Sequence, residues 1–478
     1  MADEPTTHGE QVPLLSPDGA QNAVRRTPLP LKQISIVLLL SFCDSVPIYV
    51  VFPFLNELLL SFTGGDETKV PYYASIMEAC RTISLLIMII YWGRISDYFG
   101  RKPILLLSCV SITSSMLLLG MSKAFWMVVL SRCILGGLNS IMAIGKTVIG
   151  ELTDNTNRAD AFALLNMPWS LGMSIGPLVG GSLSNPHMRY PHIFPGKIWR
   201  DFPYLLPCAT IALTSSIAFL VALVHFRETL PRKRSSPTSV EETSTAARSR
   251  HSTPFHTLLT PRILLSISNY VVLSFLTMSY LAIQPLFFAM PISIGGLALE
   301  PVQIGSILGF FGFCNAFVQA LLLGPAVRRF GLRRILEYSI FASIPMLLLF
   351  PLTNTYAADW QIHHHSSSRV IMFTLLVIQS VLFAIHDLGY GCMFIYITSS
   401  VPNKHSLGSV NGFGQMAASV ARLTGLAFAN TMLGLSIEKG WMGGYAVYFM
   451  LSCVAAGGVL LVGMLPKSAW ETGGLEEG

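Results

Sequence analysis

The sequence predicts an all-α membrane protein of twelve transmembrane helices in two pseudo-symmetric six-helix bundles. Three observations predict this. The chain of 478 residues is 52% hydrophobic and only 12% charged, against roughly 25% charged in soluble domains. Its charges fall in short clusters, separated by apolar runs of about twenty residues, the length a helix needs to cross about 30 Å of hydrocarbon. A glycine-and-basic loop after the second run recurs after the eighth. Lipid offers the backbone no water, so repeated runs of this length must be helices.

The spans are read at 34–60, 72–92, 103–122, 125–147, 160–183 and 203–226, then at 262–290, 303–326, 335–352, 370–399, 408–436 and 443–465. Residues 1–33 form a polar N-terminal tail with no apolar segment of signal-peptide type, and the run from Ile34 is too long for a cleaved signal. The runs at 34–60, 370–399 and 408–436 are long enough to tilt or to extend past the lipid. The first bundle is expected over 34–227 and the second over 262–465. Between them, 228–261 carries Pro231-Arg232-Lys233-Arg234 and a Ser/Thr-rich stretch that cannot bury a core. A short tail, 466–478, closes the chain.

The net charge of +6 matters through its distribution. With the N-terminus in the cytoplasm, 21 of the 31 basic residues fall on the cytoplasmic side. The opposite side holds Lys69, Lys123, Arg189, Lys197, Arg200, Arg369 and Lys439. That bias predicts cytoplasmic tails and a cytoplasmic linker. Arg81, Arg132 and Arg422 lie inside spans. All eight cysteines fall in apolar runs, which argues against a disulfide framework or zinc cluster. No nucleophile triad, phosphate loop or nucleotide site stands out, so neither an enzyme nor an ATP-driven pump is expected. Neither a cofactor, a resident metal nor a nucleic-acid partner is expected.

The repeated loops read Gly93-Arg94-Ile95-Ser96-Asp97-Tyr98-Phe99-Gly100-Arg101-Lys102 and Gly324-Pro325-Ala326-Val327-Arg328-Arg329-Phe330-Gly331-Leu332-Arg333-Arg334. Duplicated halves are typical of secondary transporters, whose substrate site lies between them. The first loop resembles the motif between the second and third spans of the major facilitator superfamily, with Tyr98 where that family usually has a basic residue. The resemblance implies the major facilitator fold, and a latch of Gly93, Asp97, Gly100, Arg101 and Lys102 holding the halves closed on one face. Simple anchoring by a basic loop is the alternative for Arg101 and Lys102.

The fifth span carries Gly172, Gly176, Pro177, Gly180 and Gly181, which resembles the family's antiporter motif. Gly172, Gly176 and Gly180 are four apart and share a helix face that another helix can approach closely; a generic packing seam is the alternative. In the fourth span, Arg132-Cys133-Ile134-Leu135-Gly136-Gly137 resembles the family's intramembrane arginine motif, which implies a part in proton transfer. An intramembrane cation needs a partner, and Asp44 of the first span is the expected one; the alternative for Asp44 is a static contact with Arg132 or with Ser41 or Ser45. Asp387 is the second candidate for proton or cation coupling, with a contact between helices the alternative. Its neighbour His386 must point elsewhere.

Glu78 and Arg81, three apart, are expected to form an ion pair. Gln284, Asn315, Gln319 and Gln379 fall in spans and offer hydrogen bonds either to a substrate or between helices. Arg422 follows Asn411-Gly412-Phe413-Gly414-Gln415, a stretch resembling fungal members; it is expected to pair with Asp387 or to bind an anionic substrate.

The loop from Gly181 through Asn185-Pro186, Tyr190-Pro191 and Phe202-Pro203-Tyr204 to Arg227-Glu228-Thr229-Leu230 resembles the zinc-induced facilitator-like branch of drug:proton antiporters and its fungal relatives. The resemblance covers roughly 34–465, but the plant members' cysteine motif and histidine-rich central loop are not evident. The run His363-His364-His365 reads as a solvated loop, with weak metal binding the alternative. Glu10 with Leu14-Leu15 fits an acidic dileucine signal, so a vacuolar or a plasma membrane is expected. The resemblance implies proton-coupled export of a small organic compound, with a lipid bilayer around a monomer. A proton-independent facilitator or symporter, and a non-transporting sensor or scaffold, are the rival classes.

Overall fold

The computed structural model describes residues 27–153, 164, 167–230, 260–400 and 407–466. Its helices overlap the predicted spans. In the first half these are α1 (Leu31–Tyr49), continued by α2 (Leu55–Leu60), then α3 (Val70–Phe99), α4 (Arg101–Gly120), α5 (Phe125–Leu138), α6 (Ile141–Leu152), α7 (Met167–Leu183) and α8 (Leu205–His225). In the second they are α9 (Pro261–Ala289), α10 (Pro301–Phe330), α11 (Leu332–His363), α12 (Ser366–Ser399), α13 (Leu407–Glu438) and α14 (Ala446–Val462). Among the described residues, nine helical stretches are long and apolar enough to cross a membrane, and α3 supplies a tenth as one bent span. α7 and α14 contribute 17 described residues each. The N-terminal part of the fifth predicted span, the central linker and the dileucine segment lie outside the described residues.

Local chemistry sets the helix ends. Gly100 separates α3 from α4 with φ +103°, and Gly331 separates α10 from α11 with φ +81°. Both turns occupy the left-handed region that favours glycine, so the repeated loop is also a repeated geometry. Pro261 opens α9, where Thr260 accepts from the Ile263 N–H at 3.4 Å. Glu300 and Gln303 form a capping box on α10.

Two boundaries differ from expectation. The fourth span, predicted to be continuous over 125–147, is broken between α5 and α6. Asn139 (φ −94°, ψ 121°) and Ser140 (φ −133°, ψ 13°) are both non-helical. Backbone groups freed inside a membrane need other partners. The Ser140 N–H donates to Ser108 Oγ at 3.1 Å, the Ile141 N–H to Asn139 Oδ1 at 3.2 Å, and Trp92 Nε1 to the Gly137 carbonyl at 2.7 Å. The ninth span, predicted to end at 352, belongs to a helix that runs on to His363. An apolar run measures the lipid crossing, and a helix can continue beyond it.

Call the side where α1 begins the tail side, and its opposite the far side. Within the halves, α4 packs on α8, α3 on α5, α9 on α13, and α11 on α12 and α14; between them, α7 meets α10 and α3 meets α13. The described hydrogen bonds that join the halves run from the far side toward the midplane: Tyr72 to Glu438 at 3.3 Å and Ser174 to the Gly309 carbonyl at 2.8 Å. On the tail side Tyr98 and Phe99 are exposed, and Gly93 and Gly412 face open space.

Candidate substrate and proton site

The break in the fourth span positions the first acid. Because Asn139 leaves the helix, its amide Nδ2 donates to Asp44 Oδ1 of α1. The expected pairing of Asp44 with Arg132 is not formed. Arg132 is wholly buried, its three guanidinium nitrogens have no hydrogen-bond partner among the described residues, and the acid whose field reaches it is Glu78 of α3. Glu78 is itself held by Arg81 Nε at 2.7 Å, the predicted ion pair. Gly136 explains how Arg132 comes so close to α3: a Cβ there would lie 2.0 Å from the Arg81 carbonyl oxygen. The field of Arg81 also reaches Asp44 and Tyr49.

The second acid is built from α10 and α12. Asp387 Oδ2 accepts from Asn315 Nδ2 at 2.8 Å and Gln319 Nε2 at 2.7 Å, so two of the predicted cavity amides converge on it. His386 points away into the second half, with its ring nitrogens 2.9 Å from Thr277 Oγ1 and 2.8 Å from Ser343 Oγ. Gln284 stands apart from the site: it is buried and donates to Tyr280 at 3.0 Å. Gln379 is likewise buried and donates to the Met346 carbonyl at 3.0 Å. Arg422 does not pair with Asp387; its Nη2 donates to the Tyr270 hydroxyl at 3.3 Å. Tyr49 of α1 is buried and packs edge-on against Trp169 of α7, with ring centroids 5.7 Å apart.

The glycine face of α7 packs on α1. Cβ atoms at Gly172, Gly176 and Gly180 would meet Ser45, Tyr49 and Val50 at 2.1, 2.9 and 1.9 Å. Gly181 instead meets the other half, with Pro301 O at 2.3 Å. Pro177 lies in this segment, and its carbonyl is 2.4 Å from a Cβ placed on Gly305 of α10.

The basic loop is tied into the first half. Arg101 contacts Asp97 at 2.6 Å, Glu151 at 2.9 Å and Ser96 Oγ at 2.6 Å. Lys102 Nζ donates to the Leu223 carbonyl at 2.8 Å. Glu228 receives the backbone N–H groups of Arg101 and Lys102 at 2.8 and 3.0 Å, capping α4. Burial alone would raise its pKa, but these N–H groups outweigh it and hold the carboxyl below the usual range. A Cβ on Gly100 would lie 2.6 Å from this carboxylate, so Gly100 serves both the turn and the cap.

Asn139, Glu151, Glu228 and Lys146 were not singled out from the sequence. Asn139-Ser140 after Gly136-Gly137 was a readable signal for a break, since none of these residues favours a helix interior. Lys146 lies on α6, past the break. The eight cysteines are unpaired, and among the described residues no cluster of three or more His, Cys, Asp or Glu could hold a metal. His363 contacts Asp359 at 3.2 Å at the far-side end of α11.

A family model described as Major Facilitator Superfamily matches residues 35–426. The chain belongs to the Major Facilitator Superfamily. It is therefore a multi-pass membrane transporter and not an enzyme. Protein ZINC INDUCED FACILITATOR-LIKE 1 of Arabidopsis thaliana is 28% identical over 457 residues, covering 91% of this chain and 92% of that one. The efflux pump azaK of Aspergillus niger is 25% identical over 438 residues, covering 90% and 86%. A crystal structure of a D-xylose-proton symporter shares the fold with a TM-score of 0.68 at 15% identity, covering 93% of this chain and 99% of that one.

Proposed function

We propose that the protein is a proton-coupled antiporter that exports a small organic compound by alternating access. The observation that carries this reading is Asp44, a carboxylate inside a span, held by Asn139 at a broken helix. Broken helices in transporters place ion and substrate groups near the midplane, and intramembrane acids mark proton relays. Asp44 and Asp387 carry the proton; Arg132, buried without a hydrogen bond among the described residues, biases the first acid through Glu78 and Arg81. The glycine seam of α7 supports tight closure on the far side. Asp97 and Arg101 act as the tail-side latch, which here engages partners within its own half. The Lys/Arg distribution supports cytoplasmic termini, so the far side is the destination of export. The efflux pump among the relatives supports the direction of transport.

The test is proton flux in proteoliposomes holding wild type or Asp44→Asn, across a panel of organic cations, weak acids and zinc chelates. Substrate-triggered proton movement that is lost in the variant supports antiport. Substrate flux with no proton movement in wild type makes the protein a facilitator and returns Asp44 to a structural role.

A further inference from the structure

We propose that the exposed face at the start of α12 binds one anionic phospholipid of the far leaflet, with its phosphate on Arg369 and an acyl chain in the groove below. A hollow of about 690 Å³ lies there, lined by Ser366, Arg369, Val370, Phe373, Thr374 and Val377. These residues are three or four apart, so they form one stripe along the helix. α12 packs on α11, α10 and α9, and the stripe is left uncovered: Val370 is 65% exposed and Val377 47%. Its far-side end is polar and the rest is apolar, because the Thr374 hydroxyl is turned to the Val370 carbonyl at 2.8 Å. The apolar run of this span begins at Val370, which sets Arg369 at the border of water and hydrocarbon. From Ser366 to Val377 the helix rises roughly 16 Å, about one leaflet of a core about 30 Å thick. The stripe therefore has the length and the polarity gradient of a single lipid.

An arginine at a span end can serve as a plain anchor that reaches into water. Arg369 is placed otherwise. Its guanidinium lies 5.3 Å from the ring centroid of Trp360 of α11 and 6.0 Å from that of Phe373, one turn deeper in the span. Two ring faces hold the cation without taking its five N–H donors into hydrogen bonds. Among the described residues no carboxylate lies within ion-pair distance of it. Asp359, beside Trp360 in sequence, is engaged instead by Ser368 and by His363 at 3.2 Å. The first turn of α12 holds no acid, and His365 before it makes no capping bond, so the positive end of the helix dipole adds to the charge of Arg369. Basic pockets beside transmembrane helices hold anionic headgroups. A zwitterionic headgroup would bring its own cation to the same place.

The test is native mass spectrometry of the full chain in dodecyl maltoside, with phosphatidylglycerol, phosphatidylcholine or free glycerol phosphate added. Wild type is expected to retain one phosphatidylglycerol in preference to phosphatidylcholine. Arg369→Gln is expected to weaken that retention about tenfold, the worth of one charge-assisted contact. Val377→Trp fills the groove but keeps the cation, and is expected to weaken it as well. Should one of these variants fail to fold, the other still reads the site. Lys439→Gln removes a far-side cation that lies over Trp441 at 5.5 Å, outside the hollow, and is expected to leave retention unchanged. Phosphatidylglycerol held equally by wild type, Arg369→Gln and Val377→Trp would overturn the proposal. So would an equal loss in Lys439→Gln, which would mark a general attraction to positive charge, or equal retention of phosphatidylcholine. Glycerol phosphate held as tightly as the lipid, with Val377→Trp behaving as wild type, would assign Arg369 to free phosphate and overturn the lipid site.

Discussion

Gly181 of α7 and Gly305 of α10 meet backbone to backbone across the two halves: a Cβ on either would lie 3.0 Å from the Cα of the other. Neighbouring carbonyls are nearer still, with Pro301 O 2.3 Å from a Cβ on Gly181 and Pro177 O 2.4 Å from one on Gly305. These are backbone atoms, which cannot swing aside as a side chain does. The contact therefore admits only glycine while the far side is closed.

Gly305→Leu should open the far side. Overpacking costs about 1–3 kcal/mol, so the closed form should lose roughly tenfold or more in population. Nitroxides at Ser182→Cys and Ser306→Cys in a cysteine-free background would report this as a longer distance. An unchanged distance distribution, with transport intact, would remove the glycine contact from the gate.

Arg132→Met separates function from stability. A buried cation with no hydrogen bond is a burden on the fold, and replacing such charge with apolar volume is often neutral or stabilising. The variant should keep or raise its Tm in detergent while proton counterflow falls at least tenfold. A lower Tm with normal coupling would make Arg132 structural.

Glu228→Gln tests the cap on α4. A carboxyl held below its unfolded pKa stabilises the fold fully above about pH 4.3, and that contribution fades as pH falls through the folded value. Loss of a cap costs about 1 kcal/mol, so Tm at pH 7 should fall by roughly 1–3 °C. The gap to wild type should close on acidification. A gap that persists at low pH would mean that the cap does not depend on charge.

Much of this was legible from local rules, and the exceptions are specific. Asn315 and Gln319 were legible as span amides one turn apart, but their convergence on Asp387 of α12 was visible only in the structure. The split between His386 and Asp387 followed from adjacent residues pointing apart. Gln284 was misleading because an amide in a span can equally serve its own helix, as it does with Tyr280.

Spans, repeat and turns required no knowledge of neighbours. Apolar length sets the crossing, the lipid forces the helix, and a positive φ at Gly100 and Gly331 reserves those positions for glycine. Which polar groups meet was different in kind. Asp44 finds Asn139 rather than Arg132 because α5 ends at a break. Arg132 falls under the influence of Glu78 because Gly136 lets α5 sit against α3. Contacts of this kind depend on helix rotation and approach, which residues distant in sequence set together.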